Sequence, residues 1–305
     1  MLSYKSSILT DVLLIFYVFI VIAISGCIQD VELDLSDKNH EYVLNCILNT
    51  QTDTITAILT KTKNITDGSK SFESVKNAEI VLYENDERLG SFSFSGSDNY
   101  FLTHKPKPGS TYRLEAKIEN NKIWGETIVP KTVKGNIEKL PSSMEGYQVY
   151  FEDNKDEDNF YWVSATGYEQ MPDTTQKDTF VLHTQKNIAG IILSNFEYAD
   201  DFNRYIGDHG IYKFEYDYYI RFSDSQLPDS IIHVKFRPFA GSSPEIFFLS
   251  TDYHLDKYMK SSLMMERMEI YAEDMPIIYA PVPIYSNIHG GTGIFGSFTS
   301  ISKEF

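Results

Sequence analysis

From Glu41 to Val129 apolar and polar side chains alternate with a period of two. The clearest runs are Thr54-Ile55-Thr56-Ala57-Ile58-Leu59-Thr60, Ala78-Glu79-Ile80-Val81-Leu82-Tyr83, Ser91-Phe92-Ser93-Phe94 and Tyr112-Arg113-Leu114-Glu115-Ala116-Lys117-Ile118. Side chains of a strand point alternately to its two faces, so each run places one apolar face on a core. The separators Thr66-Asp67-Gly68, Glu84-Asn85-Asp86-Glu87, Ser95-Gly96-Ser97-Asp98 and Lys107-Pro108-Gly109-Ser110 have turn chemistry. Roughly six or seven short strands spread over about 90 residues predict a β-sandwich.

After Val129-Pro130-Lys131 the pattern resumes, which places a domain boundary near Lys131. Gln148-Val149-Tyr150-Phe151 and Tyr161-Trp162-Val163-Ser164-Ala165 read as strands flanking an acidic turn, with further strands expected over residues 213–222 and 230–236. Residues 239–244 read as loop. From Pro244 to about Met268 the period changes: Phe247, Phe248, Tyr253, Leu255, Tyr258, Met259, Leu263 and Met264 recur at three and four residues, without interior Pro or Gly. This predicts an amphipathic helix over about 244–268, ended by Met275-Pro276. The expected fold is therefore mostly β: an Ig-like or transthyretin-like sandwich over 41–131, then a second β-rich domain over 132–305 with one helix.

The first 26 residues follow another logic. A positive start with Lys5 leads into an apolar stretch from Val12 to Ile24, then Ser25 and Gly26 before Cys27. The stretch suits the core of a secretory signal and is short for a membrane-spanning helix. Ile24-Ser25-Gly26-Cys27 resembles the bacterial lipobox, which implies cleavage before Cys27, a diacylglycerol thioether on its sulfur and an N-acyl chain, with palmitate among the acyl groups. Small residues let the peptidase reach the backbone, and a thiolate is nucleophilic enough to take the lipid. Several buried acyl chains at about 0.8 kcal/mol per methylene hold a protein firmly on its membrane. Residues 27–40 then read as an acidic tether. Asp30, Glu32 and Asp34 directly behind the lipid resemble the export signal of Bacteroidota surface lipoproteins, which favours display at the cell surface over the periplasmic face, an ordinary solvated tether being the alternative.

Charge narrows the partners. The 27 Lys and Arg residues against 43 Asp and Glu give a net charge of −16. Such a surface is repelled by phosphate backbones, so nucleic acid is excluded as a partner class. Cys46, the one cysteine besides Cys27, sits in the apolar run Tyr42-Val43-Leu44-Asn45-Cys46-Ile47-Leu48 and is expected to be a buried strand residue. The 21 Tyr and 20 Phe fit a mostly-β protein.

The succession Ala78-Glu79-Ile80-Val81-Leu82, Asn99-Tyr100-Phe101 and Pro108-Gly109-Ser110-Thr111-Tyr112 resembles transthyretin-like and carboxypeptidase-regulatory-like modules, which are usually accessory. The C-terminal stretch Ser286-Asn287-Ile288-His289-Gly290-Gly291-Thr292-Gly293-Ile294-Phe295-Gly296 is more specific. With the lipobox, Asp158-Asn159-Phe160-Tyr161-Trp162 and Leu249-Ser250-Thr251-Asp252-Tyr253, it resembles domain-of-unknown-function family 4249 (DUF4249) of Bacteroidota lipoproteins, over nearly the whole mature chain. That resemblance implies an outer-membrane lipoprotein accessory to a TonB-dependent transporter, and so a membrane held through lipid and a barrel, or another outer-membrane complex, as partners.

The residues themselves carry little chemistry. In Glu152-Asp153-Asn154-Lys155-Asp156-Glu157-Asp158 the carboxylates of Asp153, Asp156 and Asp158 could hold calcium, but Lys155 interrupts them and the Gly and distal Glu of an EF-hand are missing, so a solvated turn is preferred. Asp201, Arg204, Asp208 and His209 form a candidate binding loop, weighed against a plain turn. The seven histidines stand singly, without the pairing a zinc site uses. There is no Gly-x-Ser-x-Gly elbow and no cysteine–histidine arrangement. The glycines from Gly290 to Gly296 lack the Lys-Ser/Thr of a phosphate loop and are expected to let a terminal strand turn and pack closely. The leading expectation is a non-enzymatic accessory subunit in nutrient capture, without cofactor beyond its covalent lipid. The alternatives are an assembly subunit of an outer-membrane complex and a surface hydrolase with a site built from distant residues.

Overall fold

The computed structural model describes residues 40–63, 72–141, 146–153, 158–172, 182–193, 202, 216–217, 219–223, 231–239, 242–274 and 283–305. The fold is mostly β, as the alternation predicts. In the first half, β1 (Tyr42–Asn49), β2 (Thr54–Lys61), β3 (Glu73–Ser74), β6 (Ser93–Gly96) and β7 (Asn99–Thr103) belong to one sheet. The strands β4 (Glu79–Glu84), β5 (Glu87–Ser91), β8 (Thr111–Ile118) and β9 (Asn121–Ile128) form a second sheet in the order β5-β4-β8-β9. Two of the separators become tight hairpins. Asn85 and Asp86 have φ of 49° and 67°, and Ser97 and Asp98 have 48° and 71°, paired left-handed residues whose twist matches that of the flanking strands.

Alternating side chains of both sheets meet in one core: Leu44, Cys46 and Leu48 from β1, Ile55, Ala57 and Leu59 from β2, Ile80 and Leu82 from β4, Leu114 and Ala116 from β8. Cys46 is buried here as expected, and burial pushes its thiol pKa up. This packing of two inner faces is the predicted sandwich.

The larger sheet continues into the second half through β10 (Lys134–Lys139), β11 (Tyr147–Glu152), β12 (Phe160–Pro172), β13 (Leu182–Leu193), β14 (Tyr216–Asp217), β15 (Tyr219–Ser223), β16 (Ile232–Phe239), β17 (Ser242–Thr251) and β18 (Thr292–Glu304). Its order is β10-β11-β16-β13-β12-β17-β18-β1-β2-β7-β6. The C-terminal strand therefore joins the halves: β18 is parallel to β1, with Cys46 opposite Phe295, and antiparallel to β17, with Phe248 opposite Ile301. A second core, rich in aromatic residues, gathers Val149, Phe151, Tyr161, Val163, Phe222, Val234, Phe236, Ile246 and Phe248.

One expectation is corrected. Residues 242–251 are strand β17, and the long helix α1 spans Tyr253–Asp274. The aromatic pair Phe247-Phe248 fits a helical spacing, but Ile246, Phe248 and Ser250 are buried alternately while both backbone edges of the segment pair, with β12 and with β18. Ladder hydrogen bonds on two sides outweigh a local helical preference. Likewise the expected loop at 239–244 falls largely into strands, since β16 runs to Phe239 and β17 starts at Ser242. The helix also runs on to Asp274, six residues past the expected end at Met268. Trp162, on the face of β12 opposite the second core, packs with Phe202 and with Met259, Leu263 and Met264 of α1.

Candidate functional site

Where β9, β17, β18 and α1 meet, the structure buries a set of polar groups. Asp252 follows β17 directly and caps α1: its Oδ1 accepts the Leu255 backbone N–H at 3.1 Å and its Oδ2 that of His254 at 3.3 Å. An aspartate at this position satisfies helix N–H groups that have no intrahelical partner. The same carboxylate accepts the Thr127 hydroxyl of β9 at 2.7 Å and the Ser297 N–H of β18 at 2.9 Å. Ser297 in turn donates its hydroxyl to the Ile128 carbonyl at 3.1 Å. One buried carboxylate thus ties together four elements. Burial raises the Asp252 pKa, and the hydrogen bonds from Ser297, Thr127 and Leu255 oppose that rise without cancelling it.

One turn along α1, Asp256 receives Arg221 of β15 through two bonds, Nε to Oδ1 at 2.6 Å and Nη2 to Oδ2 at 2.9 Å, with the Trp162 indole N–H at 3.1 Å. Both charged side chains are almost fully buried. The fork of the guanidinium matches the two carboxylate oxygens, which makes the pair directional as well as attractive.

The Ser286–Gly296 stretch is a lock between the two sheets. The Asn287 side chain donates to the carbonyls of Glu126 and Phe295 and accepts the Phe295 N–H at 2.9 Å, while His289 and Trp124 exchange backbone hydrogen bonds and stack their rings 4.1 Å apart. Its glycines sit where a side chain has no room. A Cβ on Gly296 would lie 2.9 Å from the Leu255 Cβ, and one on Gly293, at φ +119°, would strike the Leu44 carbonyl. Gly125 of β9 completes the lock, since a Cβ there would meet Ile288 at 3.0 Å and Phe295 at 3.1 Å.

Beside this junction opens a cleft of about 520 Å³. One wall is the end of the sandwich, with Thr111, Glu126, Ile128 and Lys131; the other is the start of α1 and β12, with Asp158, Asn159, Tyr253 and His254. Ile128 is 60% exposed and Tyr253 52%. The His254 Nδ1 is engaged with the Tyr285 hydroxyl at 2.8 Å. The volume lies within the range of small-ligand sites.

Of the residues singled out from sequence, Asp158 lines the cleft, and Asp153 accepts the Tyr161 hydroxyl at 2.6 Å. Asp156 lies outside the described residues, as do Cys27, Asp30, Glu32 and Asp34, and the loop residues Asp201, Arg204, Asp208 and His209. Phe202, within the stretch expected to be a loop, is helical and buries its ring against Trp162. Among the described residues there is no group of three or more His, Cys, Asp or Glu that could hold a metal ion, and no helix long and apolar enough to cross a membrane. Sequence reasoning missed Asp252, Asp256, Arg221, Thr127 and Ser297. Ser250-Thr251-Asp252 ahead of Tyr253 was a legible capping signal. Arg221, between the apolar Ile220 and Phe222, was the other available clue.

No curated protein matches the chain. Among solved structures, a DUF4785 family protein from Legionella pneumophila subsp. pneumophila str. Philadelphia 1 is similar at 10% identity and a TM-score of 0.22, covering 68% of this chain and 49% of its own. A protein from Corynebacterium diphtheriae described as membrane anchored is similar at 12% identity and a TM-score of 0.21, covering 71% of this chain and 55% of its own. The chain thus spans about half the length of each. The sequence profile of DUF4249, a domain of unknown function, matches residues 28–304, from directly after Cys27 to the last residue of β18, and the chain belongs to that family.

Proposed function

We propose that the chain is a non-enzymatic, lipid-anchored outer-membrane protein that serves a TonB-dependent transporter as an accessory subunit in nutrient capture. The observation that carries the capture role is the cleft between sandwich and helix, with Tyr253 and Ile128 presented at its walls and the rigid Asp252 junction beneath. A site held on strands and a capped helix keeps its geometry better than one on free loops. Export and anchoring are supported by the signal-like residues 1–26 and the lipobox ending at Cys27, surface display by Asp30, Glu32 and Asp34, and the barrel partner by family likeness.

The test is affinity purification from detergent-solubilised native membranes, with Cys27→Ala as control. Co-purification of a TonB-dependent barrel with the lipidated form agrees with the proposal; recovery of assembly machinery instead overturns it. That second reading, an assembly subunit, is favoured by a different surface. Ile47, Ile58 and Phe101 stand on the outer face of β1, β2 and β7, each between 36% and 40% exposed, with Asn45 opposite Ile58 and Thr56 opposite Phe101 in register.

A further inference from the structure

The cleft also has a charge. Three carboxylates line it, Glu126, Asp158 and Asp252, and the ammonium of Lys131. The Asp252 oxygens are taken up by four donors at the junction. Glu126 is exposed, its nearest cation being the Arg113 Nε at 4.0 Å, and Asp158 is exposed without a partner among the described residues. Two carboxylates with unused acceptor capacity therefore share a concave surface with the exposed Tyr253 ring and the exposed Ile128 side chain. The ring already attracts one cation, the Lys257 ammonium 5.4 Å from its centroid. An aromatic face and carboxylates both favour positive charge, and the net charge of −16 draws cations towards the protein from a distance.

Resting on the binding reading of the cleft, we infer that it takes an organic cation, a primary amine or guanidinium carried on an apolar stem, the charge placed between Glu126 and Asp158 and the stem against Ile128 and Tyr253. Anionic solutes are disfavoured by the same field. Two sources present this chemistry, a free amine and the basic side chain of a polypeptide.

The experiment is calorimetric titration of the full-length lipidated protein in nanodiscs, corrected against empty nanodiscs. The probes are phenethylamine, its uncharged counterpart 2-phenylethanol, and the peptide acetyl-Leu-Arg-Leu-amide. Expected is binding of the cationic probes, weakened roughly threefold by Glu126→Gln or Asp158→Asn and about tenfold by both, as for partly solvated ion pairs. Tighter binding of the peptide assigns the site to a polypeptide; tighter binding of phenethylamine assigns it to a free amine. Equal binding of 2-phenylethanol, cationic binding unchanged in the double variant, or no binding of either cation overturns the inference. If it fails while the barrel still co-purifies with the double variant, only the ligand class is lost; if the barrel is lost with the wild-type chain, the accessory role itself falls.

Discussion

At the scale of single residues, two aspartates one helical turn apart have opposite settings. Asp252 is held by four neutral donors and Asp256 by a guanidinium fork. Asp252→Asn keeps the Oδ1 acceptor for Leu255 and Ser297 and can donate to the Thr127 hydroxyl, but turns its amide nitrogen to the His254 N–H, so a loss of about 1 kcal/mol is expected. Asp252→Ala removes the cap and orphans buried donors, and is expected to cost about 2 kcal/mol in urea denaturation. The Asp252 pKa is raised by burial, so the folded state takes up a proton before the unfolded chain does. Its stabilising effect is therefore present in acid and is lost as pH rises through the raised value. Between pH 7 and about 4, the melting temperature of wild type relative to Asp252→Asn is expected to move in favour of wild type as pH falls; a gap that widens the other way rejects this assignment. Arg221→Met leaves Asp256 buried without its cation, and about 3–5 kcal/mol should be lost, with much of it recovered in the Arg221→Met, Asp256→Leu double variant. Only the capping signal at Asp252 and the lone Arg221 are legible in the sequence, because hydrogen bonds between residues over a hundred positions apart, such as Thr127 and Asp252, leave no local pattern.

At the scale of elements, the strands were legible wherever one face is buried and the other wet. The sandwich strands β2, β4 and β8 lie within a residue of the alternating runs 54–60, 78–83 and 112–118, because alternation is the direct imprint of a two-sided sheet. β17 is the exception, a strand inside the sheet with half-buried residues such as Phe247 and Leu249 on its second face, so that period two fades in its sequence. The glycine-rich C-terminus read correctly as a terminal strand needing close approach, but its parallel partner β1, some 250 residues earlier, could not be named from spacing. The lock makes a sharp prediction. Gly293→Ala, with positive φ and a carbonyl in the way, should destabilise by about 2 kcal/mol or more, as should Asn287→Ala, which strips the lock of its side-chain bonds. Gly96→Ala, also at positive φ but in open space, should cost about 1 kcal/mol. Thermal melts of the three variants settle the ranking, and an equal loss at Gly96 and Gly293 would remove the argument from close packing.

At the scale of the whole molecule, the DUF4249 segment, the capped helix and the two cores make one body in which the C-terminal strand is the central tie. Asn287, Gly293 and Gly296 serve that tie, whereas the cleft walls are drawn from the stretches around Ile128, Asp158 and Tyr253. The C-terminal stretch that carries the family resemblance thus closes the scaffold, and the cleft is lined by other residues, among them Ile128 and Asp158. The most direct test of the accessory role is cross-linking in intact native cells with a membrane-impermeant, amine-reactive reagent, followed by mass spectrometry of the linked peptides. The account predicts links from exposed lysines of this chain, such as Lys122, to a TonB-dependent barrel, and their loss with Cys27→Ala. Links within the chain but none to any such barrel would contradict it.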